Sequence, residues 1–225
     1  MKVTYYGHSC LLVENDGKRV IIDPFLSGNP GSGIKPEQVK VDAVLLTHGH
    51  GDHVGDALEI AKQKDCPIIT IVELAAYLEK QGAKTHPMNT GGSYNFDGFT
   101  AKFTLAFHSS SVGEDGQYAG QPAGILLTMG GKTLYHAGDT ALFGDMKVIG
   151  ELHSIDLAAL PIGDNYTMGP EDAIVAAKWI NAKQVLPIHY NTFPVIKQDP
   201  YQYVSRLEEQ GLSGRVLAAG DSIEV

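Results

Sequence analysis

Residues 47 to 53 read Thr47-His48-Gly49-His50-Gly51-Asp52-His53, three imidazoles and a carboxylate within six positions, directly behind the apolar run Ala43-Val44-Leu45-Leu46. A chance HxHxDH match is expected only about once in a thousand chains of this composition. Imidazole and carboxylate donors suit zinc, and also manganese or iron, and a set without thiolate argues against a closed, Cys-rich structural site. Crowding so many partly charged groups is unfavourable unless a cation compensates them. Gly49 and Gly51 are expected to let the backbone turn at angles a β-carbon forbids, so that alternate side chains converge on one point.

Further candidates obey a positional rule. His108 follows Leu105-Ala106-Phe107, Asp139 follows Leu134-Tyr135-His136-Ala137-Gly138, and His189 follows Val185-Leu186-Pro187-Ile188. Chemistry gathers beyond strand ends, where a rigid scaffold fixes position and a loop supplies function. Seven groups, His48, His50, Asp52, His53, His108, Asp139 and His189, are therefore expected to meet around two divalent ions. Such ions, roughly 3.5–4 Å apart, share a water and lower its pKa from about 16 toward about 7. The expected reaction is attack by a metal-bridging hydroxide on an ester, lactone or phosphodiester bond, with Asp52 among the catalytic groups and no Ser or Cys nucleophile needed.

Other polar residues carry weaker signals. His8, in a Gly-His-Ser loop between two strands, suits either a packed polar corner or a group aimed at substrate, there as donor of the leaving-group proton. His136, on a strand, is expected to support the site from outside or to be structural. Asp164, Asn165 and Tyr166 follow the Leu-Pro-Ile run and are expected at the cleft rim, though a turn with side-chain bonding explains them almost as well. His86 and His153 fit no pattern and are read as structural.

The elements that must position these groups are legible in outline. Period-two alternation predicts strands at Val3–Tyr6, Cys10–Val13 and Arg19–Ile22, with Asn15-Asp16-Gly17 as a turn. A buried strand at Ala43–Leu46 is followed by helical patterns over Asp56–Lys64 and Val72–Gln81. A second meander is expected at Ser93–Phe96, Phe99–Phe107, Ile125–Met129 and Thr133–His136, turning at Gly130-Gly131. Helix Met146–Leu152, strand Leu157–Pro161, helix Pro170–Ile180, strand Gln184–Ile188, helix Pro200–Gln210 and a last strand at Arg215–Ala218 complete the reading, with Pro170 and Pro200 suited to first helical turns. Two strand blocks, each followed by helix-strand alternation, pack most economically as an α/β four-layer αββα sandwich: two mixed sheets face to face with helices outside. Residues 1–225 are read as one domain.

The combination of Ile22-Asp23-Pro24, HxHxDH, His108, Ala137-Gly138-Asp139-Thr140 and His189 resembles the metallo-β-lactamase superfamily over nearly the whole chain. Tyr6-Gly7-His8-Ser9-Cys10, Tyr135 to Thr140 and Pro161 to Pro170 resemble its metal-dependent hydrolase branch, which is related to ascorbate-6-phosphate lactonase. The resemblance implies that His48, His50 and His108 hold a first metal, that Asp52, His53 and His189 hold a second, and that Asp139 bridges them. It also implies that Asp23 orients a histidine ligand from outside the metal shell. Zinc comes first among the ions, then manganese, with iron or nickel less suited.

Composition narrows the rest. The formal charge of −9 leaves no broad cationic surface, even with two dications bound, so nucleic acid is disfavoured and a small-molecule substrate favoured. No apolar run is long enough to span a membrane, and Cys10 and Cys66 form neither CxxC nor a disulfide framework, so a cytoplasmic protein is expected. Homo-oligomerisation is left open. The rival readings are a phosphodiesterase or nuclease on the same metals, a di-iron redox protein, whose kind typically carries a carboxylate where His50 stands, and a non-catalytic metal-binding domain. Pocket shape is assigned to the loops Ser27–Pro36, Ser109–Pro122 and Gly163–Gly169.

Overall fold

A computed structural model describes residues 1–29 and 31–225, so one position of the Ser27–Pro36 loop, Pro30, lies outside the described residues. The chain opens with an antiparallel meander of β1 (Lys2–Tyr5), β2 (Leu11–Asn15) and β3 (Lys18–Ile22), turning at Asp16-Gly17. It continues through β4 (Ala43–Leu45), α1 (Gly51–Val54), α2 (Ala57–Lys64), β5 (Ile68–Ile71), α3 (Val72–Glu79) and β6 (Thr85–Met88). A second block comprises β7 (Ser93–Phe96), β8 (Phe99–Leu105), a small hairpin of β9 (Ser111–Val112) and β10 (Gln117–Tyr118), then β11 (Ala123–Met129) and β12 (Lys132–His136). After these come α4 (Met146–Leu152), β13 (Leu157–Pro161), α5 (Pro170–Ile180), β14 (Gln184–Ile188), α6 (Pro200–Glu209) and β15 (Ser222–Glu224).

The strands form a seven-stranded sheet, ordered β15-β1-β2-β3-β4-β5-β6, and a six-stranded sheet, ordered β14-β13-β12-β11-β8-β7. Both are mixed: β3 to β6 run parallel, as do β12 to β14, and the remaining pairs are antiparallel. Alternation dictates the layers. Val3, Val13, Val20 and Leu45 from one sheet meet Phe103, Ile125, Leu127 and Leu186 from the other in a shared core. The opposite face of the first sheet, with Leu12, Ile21 and Val44, packs on Ile60, Leu74 and Leu78 of α2 and α3. The opposite face of the second, with Leu126, Ala158 and Leu160, packs on α4, α5 and α6 through Ile149, Ala176 and Leu207. The result is the expected αββα sandwich, each fully buried aliphatic side chain contributing about 1.5–3 kcal/mol.

One expected strand needs correction. Arg215–Ala218 is not a strand; it follows one bridge between Gly214 and Val185, and Leu217 alone is buried in the inter-sheet core. The last strand is β15, registered against β1 with Val3 opposite Ile223, and its single buried apolar residue gives no alternating pattern to read. Conversely, β5 and β6 carry no strand signal of their own. Ile68–Ile71 is a short, wholly buried run, which periodicity cannot separate from the helix after it. Pro87 in β6 is tolerated because β6 is the sheet edge, where a missing N–H breaks no ladder.

Topology places the chemistry. β1 and β8 are each two antiparallel steps from β3 and β12, so both run parallel to those strands. The loops after β1, β3 and β4 therefore leave one end of the first sheet, and those after β8, β12, β13 and β14 leave one end of the second.

Candidate metal centre

At that shared end the structure brings together all seven candidate ligands. His48 lies three residues past the end of β4, His50 is the residue before α1, and Asp52 and His53 lie in its only turn, so a short loop and a tight helical turn make the four side chains converge. This corrects the role expected of the glycines: neither Gly49 nor Gly51 has a positive φ. Gly49 is required for closeness instead, since a Cβ there would lie 2.6 Å from Ala119 Cβ and 2.8 Å from the Ser111 carbonyl oxygen. Its N–H is also tied to Ser110 Oγ at 3.1 Å, which fixes the loop beyond His108.

Asp139 is the hub. One oxygen, Oδ2, lies 3.0 Å from His189 Nε2, 3.3 Å from His53 Nε2, 3.6 Å from His108 Nε2 and 4.0 Å from His48 Nε2. Three groups have ligand atoms all within 4.8 Å of one another: His48, His50 and His108; His8, Asp52, His53 and His189; and His48, His53 and Asp139. His53 Nε2 and Asp139 Oδ1 are buried without a hydrogen-bond partner, the state of donor atoms built for a cation. No thiolate joins the set. The residues present thus fit a divalent metal with imidazole and carboxylate preferences.

Asp23 organises the histidines from below. It is fully buried, and its carboxylate accepts from the Thr47 N–H at 2.9 Å, the Thr47 hydroxyl at 2.7 Å and His53 Nδ1 at 2.8 Å. A carboxylate only accepts, so the single Thr47 hydroxyl hydrogen goes to Asp23, and Thr47 Oγ1 must accept from His48 Nδ1, 2.9 Å away. Both His48 and His53 then carry a proton on Nδ1, which leaves Nε2 as the atom that faces the site. Thr47 is a working residue that the reading of ligands alone missed; its hydroxyl beside a ligand histidine was the available signal.

Electrostatics follow the same geometry. Burial would raise Asp139, but the imidazoles of His53 and His189 outweigh it and hold the carboxyl well below the usual range. Burial would lower His53, yet Asp139 and Asp23, flanking its ring, hold it well above the ordinary value. The carboxylates thus demand positive charge between them, which an imidazolium or a metal cation supplies. Burial pushes His48, His50 and His108 down, which favours neutral, ligating imidazole.

His8 is not where a group facing substrate would be. It is buried behind Asp52, with Nε2 3.1 Å from Asp52 Oδ2 and Nδ1 2.9 Å from Thr192 Oγ1, and burial pushes its pKa down to about 4. A neutral ring donating to Asp52 and accepting from Thr192 matches the packed polar corner, one of the two readings of His8; Thr192 gave no sequence signal. Asp52 is in turn held low: burial would raise it, but the His8 hydrogen bond and His53 prevail.

His136 lies outside the ligand groups. Its Nε2 donates to the Ser9 carbonyl at 2.8 Å and its Nδ1 accepts from the Gly138 N–H at 3.1 Å, which fixes the turn that presents Asp139. Gly138 needs its freedom there, with φ of 63°. Of the rim residues, Tyr166 lines the cavity, while Asp164 and Asn165 form a left-handed turn beside it with φ of 59° and 49°. His86 packs between the sheet edges against Tyr94 and Phe96, and His153 ends α4. The cavity over the cluster measures about 340 Å³ and is lined by His50, Asp52, His108, Ser109, Asp139, Tyr166 and His189. A larger hollow of about 530 Å³, under Leu26–Gln38, contains no such cluster among the described residues.

An αββα sandwich with this ligand arrangement at one end of its sheets defines a class, the metallo-β-lactamase-fold hydrolases. The chain belongs to that superfamily, as a metal-dependent hydrolase, and the family described as "Beta-lactamase superfamily domain" matches residues 2–189. A UPF0173 metal-dependent hydrolase of Bacillus cereus is 61% identical over 227 residues, covering 99% of both chains. The solved structure of a novel metallo hydrolase from the archaeon Ignicoccus hospitalis superposes with a TM-score of 0.91 at 39% identity, covering 100% of this chain and 98% of that one. CmlA, a diiron β-hydroxylase from Streptomyces venezuelae, shares the fold alone, with a TM-score of 0.75 at 12% identity over 100% of this chain and 54% of its own. Among the described residues no helix is long and apolar enough to cross a membrane.

Proposed function

We propose that the chain, read as one domain over residues 1–225, hydrolyses a small carboxylic ester or lactone with two divalent ions. His48, His50 and His108 would hold one ion, Asp52, His53 and His189 the other, and Asp139 would lie between them. The observation that carries this reading is Asp139 Oδ2 standing within 3.0–4.0 Å of nitrogens from both ligand groups. Zinc suits the donors first and manganese second. When bound, such a pair supplies a nucleophilic water at neutral pH and polarises the bond under attack.

The chain's own residues perform the rest. Asp23 and Thr47 fix the tautomers of His48 and His53, His8 holds the Asp52 carboxylate in place, and His136 sets the approach of Asp139. Tyr166 and Ser109 stand at the cavity wall to orient substrate. An ester or lactone is favoured over a phosphodiester because, among the described residues, no lysine or arginine lines the cavity to receive a phosphate. Both cysteines are free and buried, in keeping with a cytoplasmic setting.

Metal analysis of protein purified without chelators, followed by a panel of lactones, carboxylic esters and phosphodiesters, tests the proposal. Near two equivalents of zinc or manganese, turnover of esters or lactones, and loss of that turnover in Asp52→Ala are expected. Redox-active iron with no hydrolysis would overturn it in favour of a redox protein, and turnover of phosphodiesters alone would overturn the substrate class.

A further inference from the structure

Beside the metal centre lies a second depression, of about 500 Å³, between α1 and α2 on one side and α3 and the β9 hairpin on the other. His50 lines both this groove and the cavity over the ligands, so the two adjoin at that residue. The groove's walls carry five apolar side chains, Leu78 and Val112 buried and Val54, Leu58 and Tyr77 half-buried, with Gln81 and Ser111 as uncharged polar neighbours. Its head is kept open at Gly51, where a Cβ would meet nothing within 4 Å. Among the described residues no lysine or arginine lines it, and its one charged lining residue is Glu114.

We infer that this groove receives an uncharged, apolar acyl or alkyl arm of the substrate, with the scissile bond at the His50 end. The inference rests on the hydrolytic reading above and deepens it by assigning the substrate class. Three observations select that occupant. Adjacency at His50 places the groove next to the reaction cavity. Its size falls within the range of small-molecule sites, about 300–1,000 Å³. Glu114, with no cation nearby in the lining, repels a carboxylate- or phosphate-bearing arm, whereas aliphatic walls stabilise methylene groups removed from water.

The test has two arms. In the first, zinc- or manganese-loaded enzyme is assayed on p-nitrophenyl acetate, butyrate and hexanoate, and on the ester of adipic acid, whose tail ends in a carboxylate. kcat/KM is expected to rise by up to about fourfold per added methylene and to fall for the adipate. Leu58→Trp should erase the gain of hexanoate over acetate, and Glu114→Lys, on an exposed loop, should raise the adipate rate relative to hexanoate. In the second arm, hexanamide and adipic acid monoamide are titrated into the holoenzyme and followed by NMR of the Val54, Leu58 and Val112 methyls. Hexanamide is expected to shift these signals at lower concentration than the monoamide.

Rates that ignore chain length and Leu58→Trp, or hexanamide shifts that map elsewhere, would overturn the groove while leaving the hydrolase. Absence of turnover even for acetate, with hexanamide still shifting the groove methyls, would overturn ester hydrolysis and leave the groove. Equal response to hexanamide and to the monoamide would remove the charge argument and with it the assigned substrate class.

Discussion

Replacing Asp23 by Asn removes one charge at a position outside the cavity lining, yet it should reach both proposed metal ions through the histidines that would hold them. Asp23 adopts φ of 46°, a left-handed conformation that Asn also tolerates, so the backbone gains no strain. An amide keeps one acceptor for the Thr47 N–H, but its NH2 group must face both the Thr47 hydroxyl and His53 Nδ1. Because NH2 donates, both partners reverse. The Thr47 hydroxyl turns to donate to His48 Nδ1, and His53 Nδ1 becomes an acceptor, so each ring carries its proton on Nε2, the atom that faces Asp139. Restoring the ligating tautomers would set donor against donor at position 23 and leave buried groups unsatisfied, at about 1–3 kcal/mol each. That corresponds to a loss of roughly 10–100-fold in metal affinity, the usual cost of removing such a partner. Competition against a chromophoric chelator, with circular dichroism to verify the fold, measures it directly and needs no substrate. Both ions should weaken in Asp23→Asn, whereas Thr47→Val should weaken chiefly the ion held by His48. Unchanged affinity in Asp23→Asn would refute the tautomer argument.

Gly49→Ala should destabilise the metal-free protein by about 1–3 kcal/mol through overpacking against Ala119 and the Ser111 carbonyl, while Gly51→Ala, in open space at ordinary φ, should stabilise it by about 0.4–1 kcal/mol; urea denaturation distinguishes the pair. His136 is pushed below its ordinary value by burial, so between that folded value and about 6.5 the unfolded chain binds the extra proton. Its contribution is present above about pH 6.5 and is lost as pH falls toward the folded value, so the stability of His136→Asn should decline less steeply with acid than that of the unmutated protein.

The site was more legible than parts of the fold, and for a physical reason. The candidate ligands are His and Asp, whose clustering in His48 to His53 is improbable by chance, and the other candidates each follow an apolar run at or just past a strand end. β5, by contrast, is buried on both faces and shows no alternation, and β15 has only Ile223 to mark it. His8 could not be placed from sequence because a Gly-His-Ser corner is compatible with either face of Asp52; only the approach of Thr192, from a loop 184 residues away, decides it. The groove beside His50 was invisible for the same reason, since α3 and the β9 hairpin meet there from distant parts of the chain.

Backbone strain shows how the fold serves this end of the sheets. His8, Asp23 and His189 have φ of 53°, 46° and 55°, although a side chain in the left-handed region costs of order 1 kcal/mol or more. Each follows a strand, β1, β3 or β14, and continuing the extended backbone would send alternate side chains to opposite faces of the sheet. The left-handed step breaks that alternation and lets the residue at the strand end turn inward. Two of the strained residues also restrain each other, since the His189 N–H donates to the His8 carbonyl at 2.7 Å and their rings lie 4.2 Å apart. His8 then holds Asp52, and Asp23 holds His53, so strain at these two positions is transmitted to two candidate ligands. Such strain persists only where surrounding contacts over-determine it. The carboxylate-imidazole cluster supplies those contacts, which ties the stability of this end of the sandwich to the positive charge held between Asp139 and its histidines.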